Sequence, residues 1–242
     1  MRNPRIFTPT PLAAGSIINL PESAAIHVSK VLRMKPNERL ILFNNQDGSF
    51  QGKITATSNK HVSVELISWI ENNSESPLRI ELGQVISRGE RMDYAVQKST
   101  EMGITEITPL FSQRCEVKLS TERQQKRLKH WQQIAICACE QSGRNKVPTI
   151  LQPTTLSEWI KNRTTNLNFV LHHRTSKKLD DYTKPQSVSL LIGPEGGLAQ
   201  NEIQQAEANH FNPLSIGPRV LRTETAPIVA ASIMHYLWGD FR

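Results

Sequence analysis

The chain has 242 residues, 38% hydrophobic and 21% charged, with 29 Lys and Arg against 22 Asp and Glu for a formal net charge of +7. That is apolar material for one large core or two modest ones. No uncharged apolar run approaches the roughly 20 residues of a membrane helix, which argues against a membrane protein. The opening segment, broken by Pro4, Pro9, Pro11 and Pro21, lacks the continuous apolar stretch of a secretory signal, so a cytoplasmic location is expected.

Up to about residue 70 the pattern is short and strand-like: 39–43 (RLILF), 50–57 and 61–67 (HVSVELI), with the turn 44–49 (NNQDGS) between the first two. This predicts a small all-β domain over residues 1–73. The polar stretch 71–77 (ENNSESP) is the best linker, and a second domain is placed over residues 74–242. There strands alternate with helices: strand 79–87, helix 91–102, strand 106–111, then a long helix over 121–142 whose Leu128, Trp131, Ala135, Ala138 and Cys139 recur at three- and four-residue spacing up to Gly143. Strands follow at 169–172, 188–192 and 214–216. The alternation predicts a parallel sheet. A last helix over 226–237 opens with Pro227, which suits a first turn, and is apolar nearly all round, so the sheet or a second subunit must cover it.

Residues 1–73 carry 8 basic against 5 acidic side chains, residues 74–146 carry 12 against 9, and residues 147–242 carry 9 against 8. The first two thirds therefore hold most of the excess, including Arg123, Lys126, Arg127 and Lys129 in the long helix, and could contact phosphate. The three cysteines, Cys115, Cys137 and Cys139, fit neither a disulfide framework nor structural zinc and read as small buried hydrophobes. His172 and His173 point to opposite faces of a strand, so no metal pair is expected.

One local grammar occurs twice, 24 residues apart: LLIGPEGGLAQNE from Leu190 and IGPRVLRTETAP from Ile216. Each runs from an apolar strand through Ile-Gly-Pro into a loop before a helix, at the strand edge where open α/β sheets bind ligands. Gly193, Gly196, Gly197 and Gly217 leave backbone groups approachable. Glu195 would repel a phosphate, and neither loop is GxGxxG or a Walker sequence, so a ligand with a positive centre or with hydroxyls fits better. Arg222, Thr223, Glu224 and Thr225 precede the last helix, with Thr225 a candidate N-cap. Packed polar groups there need partners, either a ligand or an internal Arg–Glu pair.

At these loops the chain resembles the RsmE family of 16S ribosomal RNA uridine-N3 methyltransferases, in the SPOUT superfamily. The likeness extends along the chain through HVSKVLRMKPNERLILFNN from His27, RMDYAVQKSTEMGITEITPL from Arg91 and CEQSGRNKVP from Cys139. The resemblance implies an α/β fold: a SPOUT-type C-terminal domain with a trefoil knot and a mostly parallel sheet, plus a small N-terminal PUA-like β-barrel that helps hold RNA. It implies a homodimer, a small-ribosomal-subunit substrate, no metal, and S-adenosylmethionine held largely by backbone groups. Carried over by motif, the cofactor residues are Leu171, His172, Ile192, Gly193, Pro194, Glu195, Gly196, Gly197, Ile216, Gly217, Leu221, Arg222, Thr223, Glu224, Thr225 and Ala226. The sequence departs from the family at Ala199, where Ser or Thr would cap the helix opposite Glu202, at Asn37, where glycine is usual, and at Asn44-Asn45 in place of Asp-Gly.

Methylating uracil N3 requires loss of a proton while charge spreads onto O2 and O4, so a guanidinium there would stabilise the transition state. Arg222 is assigned that role, with Arg219 the alternate; Glu224 either orients Arg222 or acts as the base, or His172 is the base instead. N3 lies on the Watson–Crick edge, so the nucleotide must be unpaired or turned out. Arg5, Arg33, Arg88, Arg91, Lys98 and Arg144 are the expected RNA contacts, and the 121–146 region would grip sugar-phosphates. A non-catalytic RNA-binding assembly factor would need the basic face but not the two loops. A Rossmann-type enzyme would explain the glycines, with Glu195 and the missing fingerprint against it.

Overall fold

A computed structural model describes residues 3–171 and 178–242, and the chain divides into two compact units. The first takes the residues up to Glu75 together with Cys139–Val147. Its elements are β1 (Arg5–Phe7), β2 (Ile17–Asn19), α1 (Glu22–Ile26), β3 (Arg39–Asn44), β4 (Gly48–Thr57) and β5 (Val62–Ile70). They form one sheet in the order β1-β3-β4-β5-β2, with β1 parallel to β3 and the other pairs antiparallel. Period-two alternation drives it: Val62, Val64 and Leu66 turn inward onto Leu40, Leu42 and Ile54 while Glu65 faces out. α1, and the turn of π-helix that follows it at His27–Val31, close this core with Ala25 and Val28 and were not expected from the pattern. Asn37 has φ 74, a left-handed backbone that glycine adopts freely and asparagine tolerates, which accounts for the residue type there.

The expected linker is anchored rather than loose. Glu75 accepts hydrogen bonds from the backbone N–H groups of Asn145 and Lys146, each at 2.9 Å, and from the Arg144 guanidinium at 2.9 Å. Arg144 is 3% exposed, and Arg5 donates to its carbonyl and to Asn145 Oδ1 while its guanidinium lies over the Phe43 ring. The expectation that Arg144 contacts RNA is therefore corrected, because burial and ion pairing remove it from any surface a phosphate could reach. Arg5 is likewise turned inward to these partners. The cysteines also divide: Cys139 is buried and desolvation pushes its thiol up to about 12, Cys115 is half-buried, and Cys137 is exposed, against the expectation for it.

The second unit is built on β6 (Arg79–Val85), α2 (Glu90–Glu101), β7 (Glu106–Phe111), α3 (Thr121–Ser142) as far as Ala138, β8 (Thr149–Ile150), β9 (Thr154–Thr155), α4 (Leu156–Lys161), β10 (Leu167–Leu171), β11 (Ser187–Ile192), α5 (Gln200–Ala208), β12 (Phe211–Leu214) and α6 (Ala226–Trp238). The strand order is β12-β10-β11-β6-β7-β8, every pairing is parallel, and β9 also pairs with β7. β6 is buried over six consecutive residues, as a central strand covered on both faces must be. On one face Val85, Leu110, Val170 and Leu191 pack against Leu156 and Trp159 of α4, Ala206 of α5 and Phe211. On the other face Phe169 stacks on Trp238 of α6 at 6.3 Å, so part of the apolar last helix is covered by the sheet, while Tyr236 stays exposed. The final strand ends at Leu214 instead of beginning there. It holds Pro213, which an edge strand tolerates because one row of its N–H groups is unpaired in any case. No helix among the described residues is long and apolar enough to cross a membrane.

Candidate active site

β11 and β12 flank β10 and run parallel to it, so the loops after β11 and β12 leave the sheet at the same edge, on either side of Leu171. The loop after β11 is a tight turn closed by the Gly197 N–H donating to the Pro194 carbonyl at 2.9 Å. Gly197 sits at φ 69, which a side chain would strain, and a Cβ on Gly193 would lie 3.0 Å from Leu198 Cγ. The turn hands over to α5 at Ala199. The cap hydroxyl that alanine lacks is absent, but the other half of the box forms: Glu202 Oε2 accepts from the Ala199 N–H at 2.8 Å, and its Oε1 takes the Gln113 N–H at 2.8 Å.

The second loop is tied to the first by Thr223. Its buried hydroxyl donates to the Gly193 carbonyl at 2.7 Å and accepts from Gln84 Nε2 of β6 at 3.0 Å. A polar residue therefore packs below an apolar helix without an unmet bond, as burial demands. Thr225 holds the N-cap position of α6, but its side chain makes no capping bond: its backbone is already helical (φ −85, ψ −33), and its N–H joins that of Ala226 in a turn onto the Arg222 carbonyl. Pro227 does occupy the first turn of α6.

Between the loops lies a cavity of about 680 Å³, within the range of small-molecule sites. Leu171, Ile192, Gly193, Pro194, Glu195, Gly196, Gly197, Ile216, Gly217, Arg219, Leu221, Arg222, Thr223, Glu224 and Ala226 all line it. Of the expected site residues, Thr225 does not line it, and His172 lies outside the described residues. Arg222 and Arg219 are exposed at the rim, and among the described residues neither has an ion-pair partner, so an internal Arg222–Glu224 pair is not formed. Glu224 Oε2 is buried with no hydrogen-bond partner among the described residues. Such an acceptor costs about 1–3 kcal/mol unless a ligand completes it.

Two arginines enter from outside the loops. Arg91, expected to touch RNA, pairs with Glu195 at 2.9 Å, and Arg114 donates to the Gly196 carbonyl at 3.0 Å. Desolvation pushes the Glu195 carboxyl up, but its own backbone N–H, the Arg91 guanidinium and the Arg88 backbone together bring it below the usual carboxylate range. Nothing in the sequence marks Arg114, which sits in a loop without periodicity, and Leu198, Ile203, Leu214, Ser215 and Val220 complete the wall. Among the remaining expected RNA contacts, Arg33 is exposed, Arg88 pairs with Glu116 at 2.9 Å at the surface, and the half-buried Lys98 pairs with Glu101 at 2.7 Å. No group of three His, Cys, Asp or Glu side chains among the described residues could hold a metal.

The donor set suits a nucleoside ligand that carries charge of both signs, since Arg219 and Arg222 stand at the rim with Glu224 in the same wall. Leu171, Ile192, Leu198, Leu214, Ile216 and Leu221 offer apolar wall, the glycine turn offers backbone groups, and the unpaired Glu224 oxygen together with Glu195 offers negative charge.

Comparison with known proteins agrees. A model described as an RNA methyltransferase domain matches residues 74–235, and one described as an RNA methyltransferase PUA domain matches residues 20–67. The ribosomal RNA small subunit methyltransferase E of Buchnera aphidicola is 36% identical over 99% of this chain and 95% of its own. A Legionella pneumophila protein solved in complex with bound cofactor SAM superposes with a TM-score of 0.96 at 43% identity, covering 100% of both chains. The ribosomal RNA small subunit methyltransferase E of Neisseria gonorrhoeae, solved with S-adenosyl methionine, gives 0.93 at 38% identity, again over 100% of both chains. With the methyltransferase model matching well over half of its length and relatives of this identity aligned from end to end, the chain belongs to the ribosomal RNA small subunit methyltransferase E family.

Proposed function

We propose that this protein is a methyltransferase that transfers a methyl group from S-adenosylmethionine to N3 of a uridine in 16S ribosomal RNA. The observation that carries the reading is the cavity itself, in which two matching strand-to-helix loops and an unsatisfied buried carboxylate converge on one space. S-adenosylmethionine, when bound, supplies an electrophilic methyl carbon attached to a sulfonium. Ile192–Gly197 and Ile216–Ala226 would hold it, with Leu171 as the third wall, and Thr223 keeps the two loops in register through Gly193.

The chain's own contribution to the chemistry is to take a proton and to neutralise charge. Glu224 Oε2 is placed to accept the N3 proton, because it is buried in the cavity wall and committed to no donor among the described residues. As the proton leaves, negative charge grows on O2 and O4, and Arg222, free of an ion-pair partner among the described residues, can face those oxygens from the rim. A non-catalytic assembly factor would have no use for these groups.

The passage of the chain through 215–225 into α6 is read as the trefoil knot, and the exposed apolar residues Val220 and Tyr236 suit a homodimer of cytoplasmic protein. The domain limits 1–73 and 74–242 are kept as the division between RNA-holding and catalytic parts. Arg33 and Arg88 keep the phosphate role, and Arg91 is added to the cavity. Incubating the protein and S-adenosylmethionine with small ribosomal subunits from a strain lacking it, then mapping the product by mass spectrometry, is expected to show one methyl on N3 of one uridine. A methyl on ribose or on carbon, or none at all, overturns the proposal.

A further inference from the structure

Smaller depressions adjoin the cavity on the second unit, and neighbouring ones share residues. The first is bounded by Arg88, Glu90, Glu116 and the Arg91–Glu195 pair that also lines the cavity, three acids against two cations. A small one beside it shares Arg88 and reaches Leu119 and Arg127. A third shares Leu119 and Arg127 and is walled by Arg123, Lys126 and His130. Residues 123, 126, 127 and 130 are spaced i, i+3, i+4, i+7, so α3 presents them as a single stripe. The depressions therefore follow one another through shared residues from the cavity mouth to the exposed face of α3, the middle one being a small pit with Ile86, Met92, Val117 and Trp131 in its wall, and this succession is called the track.

Acidic groups face several of these cations: Glu195 on Arg91, Glu116 on Arg88, Glu122 on Lys126 and Asp93 on His130, all at 2.7–2.9 Å. These pairs are half-buried or exposed, where an ion pair holds little energy and a phosphate can take the carboxylate's place. Arg123 and Arg127 have no ion-pair partner among the described residues, so positive charge is least compensated on α3. The cations that sequence alone distributes over the whole 121–146 region are thus sorted: Arg144 is buried, and the stripe from Arg123 to His130 joins the track.

We propose that this track is the path of the RNA strand flanking the target nucleotide, with the sugar-phosphate backbone running from Arg91 at the cavity mouth past Arg88 and along the Arg123–Arg127 stripe. The inference rests on the cavity being the methyl-transfer site. That connection favours nucleic acid over an acidic protein as the occupant. A strand held here is fixed by its phosphates, and the base turned into the cavity carries the specificity.

The test compares Arg123→Ala/Arg127→Ala with Lys161→Ala/Lys184→Ala, which removes two exposed cations away from the track. Affinity for small ribosomal subunits from a strain lacking the protein is measured against salt, alongside KM, kcat and calorimetry with S-adenosylmethionine. The track variant is expected to bind subunits at least about tenfold more weakly and to raise KM in step. Its log–log salt slope should be shallower by about 1.4, the loss of two single-strand phosphate contacts. Its kcat and cofactor affinity should stay unchanged, and the control double variant should behave as the unsubstituted protein. Equal losses in both variants, no loss in the track variant, or an acidic protein of the subunit retained when its RNA is digested would each overturn the track. Absence of cofactor heat in the unsubstituted protein would overturn the methyl-transfer reading instead, and subunit binding would still decide the track.

Discussion

Replacing Arg222 with alanine is expected to lower kcat by on the order of 10²–10³-fold while the affinity for S-adenosylmethionine stays within about tenfold. The size is that of removing one preorganised donor from a developing oxyanion, about 2.7–4 kcal/mol. The asymmetry follows from the position of the side chain. Arg222 is exposed on the rim and pairs with no carboxylate among the described residues, so its loss removes no bond that shapes the cavity, whose loops are held by Thr223, Gln84 and Glu202. A loss confined to kcat and kcat/KM marks an interaction made in the transition state. Arg219→Ala should fall by much less. Full activity of Arg222→Ala, or a collapse of cofactor affinity with kcat intact, contradicts the assignment.

Trp159→Ala is expected to destabilise the second unit by about 3–5 kcal/mol, the range for emptying a large aromatic site in a core. Trp159 is 2% exposed, its indole N–H donates to Thr108 Oγ1 at 3.1 Å, and its ring lies so close over Gly83 that a Cβ there would meet it at 2.7 Å. Phe211, the first residue of the strand that leads into the second cavity loop, packs at 5.7 Å. The lost volume therefore touches both β6 and β12, and cannot be refilled without moving strands that carry the site. The thermal midpoint of the unit should drop by roughly 6–20 °C at about 2–4 °C per kcal/mol. Trp159→Phe, which keeps most of the ring, should lose less than half as much. A fall below about 1 kcal/mol in the alanine variant would contradict the packing described.

The parts of this structure that could be read from sequence are those with a strong local rule. The repeated Ile-Gly-Pro grammar located both cavity loops, because a parallel strand ending in glycine and proline has few ways to continue, and all but one of the described loop residues named from it line the cavity. The 121–142 helix was legible from its apolar spacing to the residue. α4 was overlooked although Thr155 and Glu158 form a full capping box, a signal of the S/T-x-x-E type that was open to reading. What stayed hidden depends on partners distant in sequence. Arg144 reads as a solvated cation until Glu75, 69 residues earlier, is seen to bury it. Nothing local marks Glu195, 104 residues later, as the partner of Arg91, or Arg114 as the donor to Gly196. Thr225 takes the N-cap position that threonine favours, but its helical backbone leaves the hydroxyl without a capping bond.

The most direct measurement is a crystal structure of this protein grown with S-adenosylmethionine. The account predicts the ligand between 192–197 and 216–226, with Glu224 Oε2 engaged by a donor and the Thr223 to Gly193 tie intact. Density for the ligand at any other place on the chain, or a cavity left with water alone at saturating ligand, would contradict it.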